Sequence, residues 1–200
     1  MISYAFPNKK AWPSAMAETE HDSELLLRIA AGDEHALREL YATCGQRLYA
    51  YALRLTADSE LAEDVVQDAL ITVWRTAGRY RGEGRALAWL LGIVHNTALK
   101  ALRHPSIPIS DEMEATLPAT SFSPEQQAQA NQQARWVRQG LSDLSTEHRA
   151  VLELVFYQGL SLDEAARVCN CPLGTVKSRL SYARQHLRAV LSRQNTEDWR

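Results

Sequence analysis

The segment from Ser161 to Arg193 limits the possible folds more than any other part of this chain. Ser161 and Glu164 stand three apart just ahead of an apolar-periodic run, the pattern of a capping box, so a helix is predicted to start at Leu162. Pro172 has no amide hydrogen and is at home only in the first turn of a helix, so the first helix must stop near Cys169 to Cys171. Leu173, Val176, Leu180, Ala183, Leu187 and Val190 then recur at helical spacing. Two helices across a tight turn make a helix-turn-helix.

Charge gives this motif a chemistry. No Asp or Glu occurs between Ala165 and Thr196, whereas Arg167, Lys177, Arg179, Arg184, Arg188 and Arg193 do, on a chain whose formal net charge is −2. Cations suit phosphate oxygens, and short polar side chains near a helix N-terminus suit base edges in the major groove. Thr175, Lys177, Ser178, Arg179, Ser181, Tyr182 and Arg184 have that composition and place. A basic helix can also be a plain solvated face, and a helix-turn-helix can dock protein. The coincidence of turn, caps and charge favours duplex DNA.

The rest of the 200 residues divides by composition. Residues 1–20 hold two prolines and little periodicity and read as an N-terminal extension. From 21 to 104 helical periodicity is nearly continuous, through Leu25, Leu26, Ile29 and Ala30, then Ala36, Leu37, Leu40, Tyr41, Leu48, Tyr51, Ala52 and Leu55, then Leu61–Arg75 and Ala86–Leu102. Residues 105–123 are rich in proline and acid and read as an extended acidic linker. In 124–195, a helix over Gln126–Gly140 and a second capped by Ser145, with a core stripe of Val151, Leu152, Val155 and Phe156 and a stop at Gly159, precede the helix-turn-helix; 196–200 is a tail. The fold class is all-α, two small helical domains joined by that linker. Nothing in the chain has the length of an apolar membrane span or a secretory leader, so a cytoplasmic protein without membrane insertion is expected.

A second constellation lies in the first domain. On the helix D-S-E-L-A-E-D-V-V-Q-D-A-L-I-T-V-W-R, Val65, Val66, Ala69, Leu70, Val73 and Trp74 form the core side, and Asp64, Gln67, Asp68 and Ile71 share the opposite one. Such a strip is either a solvated face or a dock for a partner's basic helices; as a metal site it lacks a third ligand. Downstream, a glycine-containing loop with Arg81 and Arg85 leads into a helix whose apolar face is Leu87, Leu90, Leu91, Val94, Ala98 and Leu102. The other face carries Trp89, His95, Asn96, Lys100 and Arg103. Cations, an amide and a flexible loop can follow an unpaired strand and receive an unstacked base. Trp89 is taken as packing rather than stacking on a base, because large aromatics are usually half buried or more. Cys44, Cys169 and Cys171 form an odd set without companion ligands at a metal spacing, so no metal or other cofactor is expected and the pair in the turn is assigned to packing.

The helix E-D-V-V-Q-D-A, the run R-G-x-G-x-A-x-A-W-L-x-x-I-x-x-N, the acidic linker and C-P-L-G-T-V-K-S-R-L, in that order, resemble an extracytoplasmic-function sigma factor of the sigma-70 family over about Asp22 to Arg193. The resemblance implies a sigma-2 and a sigma-4 domain, and a non-enzymatic factor that binds core RNA polymerase and directs promoter-specific initiation. It implies that Asp64, Gln67, Asp68 and Ile71 bind the clamp helices of the beta-prime subunit. It implies that Arg81, Arg85, His95, Asn96, Lys100 and Arg103 recognise and melt the −10 element. By the same resemblance the recognition helix reads the −35 duplex, the C-terminal domain touches the beta flap, the linker follows the RNA exit channel, and an anti-sigma factor is an expected partner. The family often has Arg where this chain has Tyr182, which leaves the −35 sequence open. Two competing readings are a helix-turn-helix regulator that binds DNA without polymerase, and a metal-dependent nucleic-acid enzyme built on Asp64 and Asp68.

Overall fold

The computed structural model describes residues 15–103, 140–141 and 143–197, and every regular element among them is helical. The first unit comprises α1 (Ala15–Ala30), α2 (Glu34–Thr56), α3 (Ser59–Thr76) and α4 (Ala86–Arg103). The second comprises α5 (Thr146–Leu152), which continues as a π-helical turn over Glu153–Tyr157, then α6 (Leu162–Val168) and α7 (Leu173–Glu197). The predicted linker and nearly all of the predicted Gln126–Gly140 helix lie outside the described residues.

Local chemistry sets the corners. Asp33 is the N-cap of α2 and accepts from the amides of His35 (2.8 Å) and Ala36 (3.2 Å). Its second oxygen accepts from Arg28 at the end of α1 (2.8 Å), and that hydrogen bond, with those from the amides, lowers its pKa. Asp58 caps α3 through the Leu61 amide (3.1 Å), after Ala57 turns the chain in a left-handed conformation (φ 56°). Ser161 and Glu164 form the capping box predicted for α6, and α6 ends at Val168 as Pro172 requires.

The structure alters several local expectations. Helix α1 begins at Ala15, inside the segment read as an extension, and α7 runs through Glu197, beyond the predicted domain end. Ala30, Tyr41, Trp74 and Phe156 are on the surface rather than in core stripes. Ser145 occupies the N-cap of α5 without a side-chain capping bond, because its hydroxyl is engaged with Glu147 and His148.

The two units are packed together rather than held apart. One apolar core runs from Leu25, Leu40 and Leu90 through Val151, Leu154, Val168 and Val176. Gly92 makes the approach possible: a Cβ there would lie 4.0 Å from the Val168 Cα, so α4 and α6 meet almost backbone to backbone. At the rim, Arg47 donates to the Gln158 carbonyl (3.0 Å) and side-chain oxygen (3.2 Å), and Gln158 donates back to the Arg47 carbonyl (3.4 Å). Arg149 reaches the Arg54 carbonyl (3.1 Å), and Arg54 pairs with Glu153 (3.9 Å) and lies over the Tyr157 ring. The π turn that supplies Glu153 and Tyr157 is followed by Gly159 at φ 67°, whose carbonyl accepts from Arg85 (3.0 Å).

Candidate nucleic-acid interface

The acidic strip stands where the α3 periodicity puts it. Val65, Val66, Ala69 and Val73 are buried, whereas Asp64, Gln67, Asp68 and Ile71 are exposed, Ile71 by 49%. Neither Asp64 nor Asp68 makes an ion pair or side-chain hydrogen bond among the described residues. Asp68, Ile71, Thr72 and Arg75 of α3 border a groove whose other wall is Asn96, Thr97, Lys100 and Ala101 of α4. Two of the residues read as single-strand contacts, Asn96 and Lys100, thus share one depression with part of the strip. Arg103 and Arg81 are also exposed, one at the end of α4 and the other in the loop before it.

That loop is held by Tyr80. Its hydroxyl donates to the Gly84 carbonyl (3.0 Å) and lies 3.0 Å from Ser23 Oγ, and its ring packs on Trp89 with centroids 5.6 Å apart. Gly82 (φ 71°) and Gly84 (φ 84°) take the left-handed backbone the bend requires. Trp89 is a packing residue of this anchor, as its size suggests.

His95 departs from the sequence reading. It is 4% exposed, faces α2, and its Nδ1 lies 2.8 Å from the Tyr51 hydroxyl. Burial, with Arg179 of the second unit adding to it, lowers its pKa to about 4, so the ring is neutral. Burial also raises the Tyr51 pKa, so the phenol keeps its proton and donates it to Nδ1. Arg85 departs as well: it is half-buried and bound to Gly159 rather than free beside Arg81. In this arrangement the His95 ring is closed to a DNA strand, and one nitrogen of the Arg85 guanidinium is already engaged.

On α7, Lys177, Ser178, Ser181, Tyr182 and Arg184 are exposed and Thr175 is partly so. Arg179 is half-buried, turned toward Cys171 Sγ (3.9 Å). Cys169 packs against the core, and its burial pushes the thiol up to about 12, so it stays protonated. Sequence reasoning missed Arg47, Arg54, Glu153 and Gln158, which join the units, and Tyr80, which fixes the loop. Gly159 and Gly92 mark the contact in the structure, one at a left-handed turn and one at a close approach to Val168, but neither names the residues across it.

These surfaces can be compared with known proteins. The family model for sigma-70 region 2 matches residues 40–106, and that for sigma-70 region 4 matches residues 140–189. The ECF RNA polymerase sigma factor SigM of Mycobacterium tuberculosis is 34% identical over 179 residues, 88% of this chain and 87% of that protein. The RNA polymerase sigma-H factor of Pseudomonas aeruginosa is 30% identical over 88% of this chain and 96% of that one. Among solved structures, the sigma factor RpoE of Bartonella quintana, in complex with the anti-sigma factor NepR, is similar with a TM-score of 0.61 and 28% identity over 78% of this chain and 96% of that one. CnrH, in complex with the cytosolic domain of CnrY, shares the fold at a TM-score of 0.62, 24% identity, and 86% and 97% coverage.

The helical fold, with a region 2 match followed by a region 4 match, defines a sigma factor. The chain belongs to the extracytoplasmic-function group of the sigma-70 family, and directs transcription initiation with RNA polymerase. No helix among the described residues is long and apolar enough to cross a membrane.

Proposed function

We propose that Asp64, Gln67, Asp68 and Ile71 dock on the clamp helices of the polymerase beta-prime subunit, within a sigma-2 domain spanning 21–104. Arg81, Asn96, Lys100 and Arg103 then engage the −10 strand as it separates, and the α7 face of a sigma-4 domain spanning 124–195 reads the −35 duplex, with that domain also meeting the beta flap. The observation that carries this reading is the groove in which unpaired Asp68 and exposed Ile71 face Asn96 and Lys100. It would place the captured strand beside the polymerase clamp, where opening must be coupled to core binding.

The closed packing of the two units fits a free factor that is not yet competent for promoter DNA. Arg85 is occupied at the contact, His95 is buried against Tyr51 within the first unit, and α6, the first helix of the motif, lies against α4. Core polymerase separates the units, which frees Arg85 for the −10 region. An anti-sigma factor is a fitting partner for the closed form, since the similar RpoE structure is itself such a complex. The factor works in the cytoplasm, and carries no reaction of its own.

The test is in vitro transcription with purified core polymerase over a promoter library. Initiation from a defined subset of promoters is expected, with tight DNA binding only in the holoenzyme. Asn96→Ala with Lys100→Ala is expected to depress initiation on duplex templates and to recover on a template premelted across the −10 region. Tight and specific DNA binding by the free chain would instead support a polymerase-independent regulator.

A further inference from the structure

One exposed feature of the recognition helix is not accounted for by phosphate contacts. Tyr182 is 54% exposed on α7, on the same face as Ser178, Ser181 and Gln185, all exposed. Its ring is not loose. His148 of α5 lies against it with ring centroids 4.5 Å apart and planes at 39°, and His186, one turn further along α7, stacks at 6.4 Å and 14°. The three rings form a column that crosses from one helix of the domain to the next.

The column is braced at its α5 end. Ser145 Oγ donates to Glu147 Oε2 (2.9 Å), so it accepts from the second neighbour, Nδ1 of His148, at 2.7 Å. His148 therefore carries a proton on Nδ1, and its ring orientation is fixed by that bond. His186 Nε2 is buried without a hydrogen-bond partner among the described residues, and the flat face of this ring stacks on Tyr182. A tyrosine packed against two such rings loses little further rotamer freedom on binding.

Base edges differ in what they ask of a side chain. Guanine is read by the paired donors of Arg or Lys, and adenine by the donor and acceptor of Asn or Gln. A clamped phenol ring offers neither fork. It carries a single hydroxyl on an otherwise apolar carbon edge, and the one apolar group that the major groove presents to such an edge is the 5-methyl of thymine.

Resting on the reading that α7 meets the −35 duplex, we propose that Tyr182 selects a thymine there through its 5-methyl group. His148 and His186 are positioning residues that hold the ring for this contact. Preference at one −35 position is thereby set by a pair of histidines, one of which lies outside the recognition helix.

The test is selection from a −35 library by holoenzymes made with the full-length chain and its variants, followed by affinity on single duplexes. The wild type is expected to select thymine at one position, and uracil there, which lacks only the methyl, is expected to weaken binding about fourfold, as burial of one such group implies. Tyr182→Arg is expected to move that position to guanine. His148→Ala is expected to relax the same position alone, with the salt dependence unchanged, and His148→Phe to restore it. Selection of a −35 sequence in which uracil replaces thymine everywhere without loss, or in which Tyr182→Ala changes no position, overturns the inference while leaving α7 as the reader. Selection of no −35 sequence by the wild type overturns both.

Discussion

The Tyr51 hydroxyl lies 2.8 Å from Nδ1 of His95, with the two rings 21° apart, in the interior between α2 and α4. This is a buried polar pair in an otherwise apolar layer, and it makes His95 a structural residue of the first unit. A few residues away on the other side of the domain contact, burial raises the Glu153 pKa to about 7, against the pull of Arg54 and Gln158. A neutral imidazole and a carboxyl that prefers its proton thus sit in one continuous core.

Removing the phenol oxygen with Tyr51→Phe leaves the His95 nitrogen buried and unpartnered. A loss of about 1–3 kcal/mol in unfolding free energy is expected, the usual cost of such an orphan. Chemical denaturation at neutral pH measures it. Unchanged stability would mean that water or a new partner reaches the ring.

The two titrating groups act in opposite directions. His95 is held neutral, so its contribution is complete above about pH 6.5 and is lost as pH falls toward about 4. Glu153 is held protonated, so its contribution is complete below about pH 4.5 and is lost as pH rises through about 7. Wild-type stability is therefore expected to be nearly flat between about pH 4.5 and 6.5 from these two groups. Glu153→Gln should leave stability rising with pH across that window, and His95→Gln should leave it falling, each by on the order of 3 kcal/mol. Denaturation midpoints at half-unit pH steps test this, and parallel profiles for the two variants would contradict it.

The same pair marks the boundary of what the sequence makes legible. The capping box of α6, the turn at Pro172 and the exposed strip on α3 follow from local rules, because neighbours within one or two turns decide them. His95 was misread because a polar side chain on a helix is assigned to the wet face unless its partner is known, and Tyr51 is 44 residues away. Its spacing from Leu91 and Ala98 did point inward. Packing of the two units onto each other has no periodic signature at all. It depends on single residues, such as Gly92 and Gln158, whose role appears only when Val168 and Arg47 are beside them.

At the domain contact, Arg47 is not among the proposed DNA-binding residues, so it can be changed without touching the reader. Arg47→Ala removes both bonds to Gln158, which is itself buried and keeps a carbonyl facing the gap. The free variant is expected to open more often, with a larger radius of gyration in solution scattering and tighter binding to a −35 duplex in the absence of core polymerase. Identical scattering curves for variant and wild type would show that the apolar α4–α6 contact alone keeps the units closed.

The polymerase dock makes the most direct demand on a pair of side chains. Asp64 and Asp68 are one turn apart, exposed and free of internal partners, so reversing their charge removes no contact within the described residues. Asp64→Lys with Asp68→Lys is expected to leave the helical circular dichroism and the melting temperature close to wild type, since surface substitutions away from special features change stability by about 0.5 kcal/mol or less. Core binding is another matter, because a basic partner that met two carboxylates would now meet two ammonium groups, and like charges juxtaposed at an interface cost several kcal/mol. A loss of core affinity of at least a hundredfold is expected, measured by competition for fluorescent core polymerase, with Ile71→Ala giving a smaller loss. If the charge-reversed chain binds core as the wild type does, the dock lies elsewhere on the molecule and the strip is an ordinary solvated face.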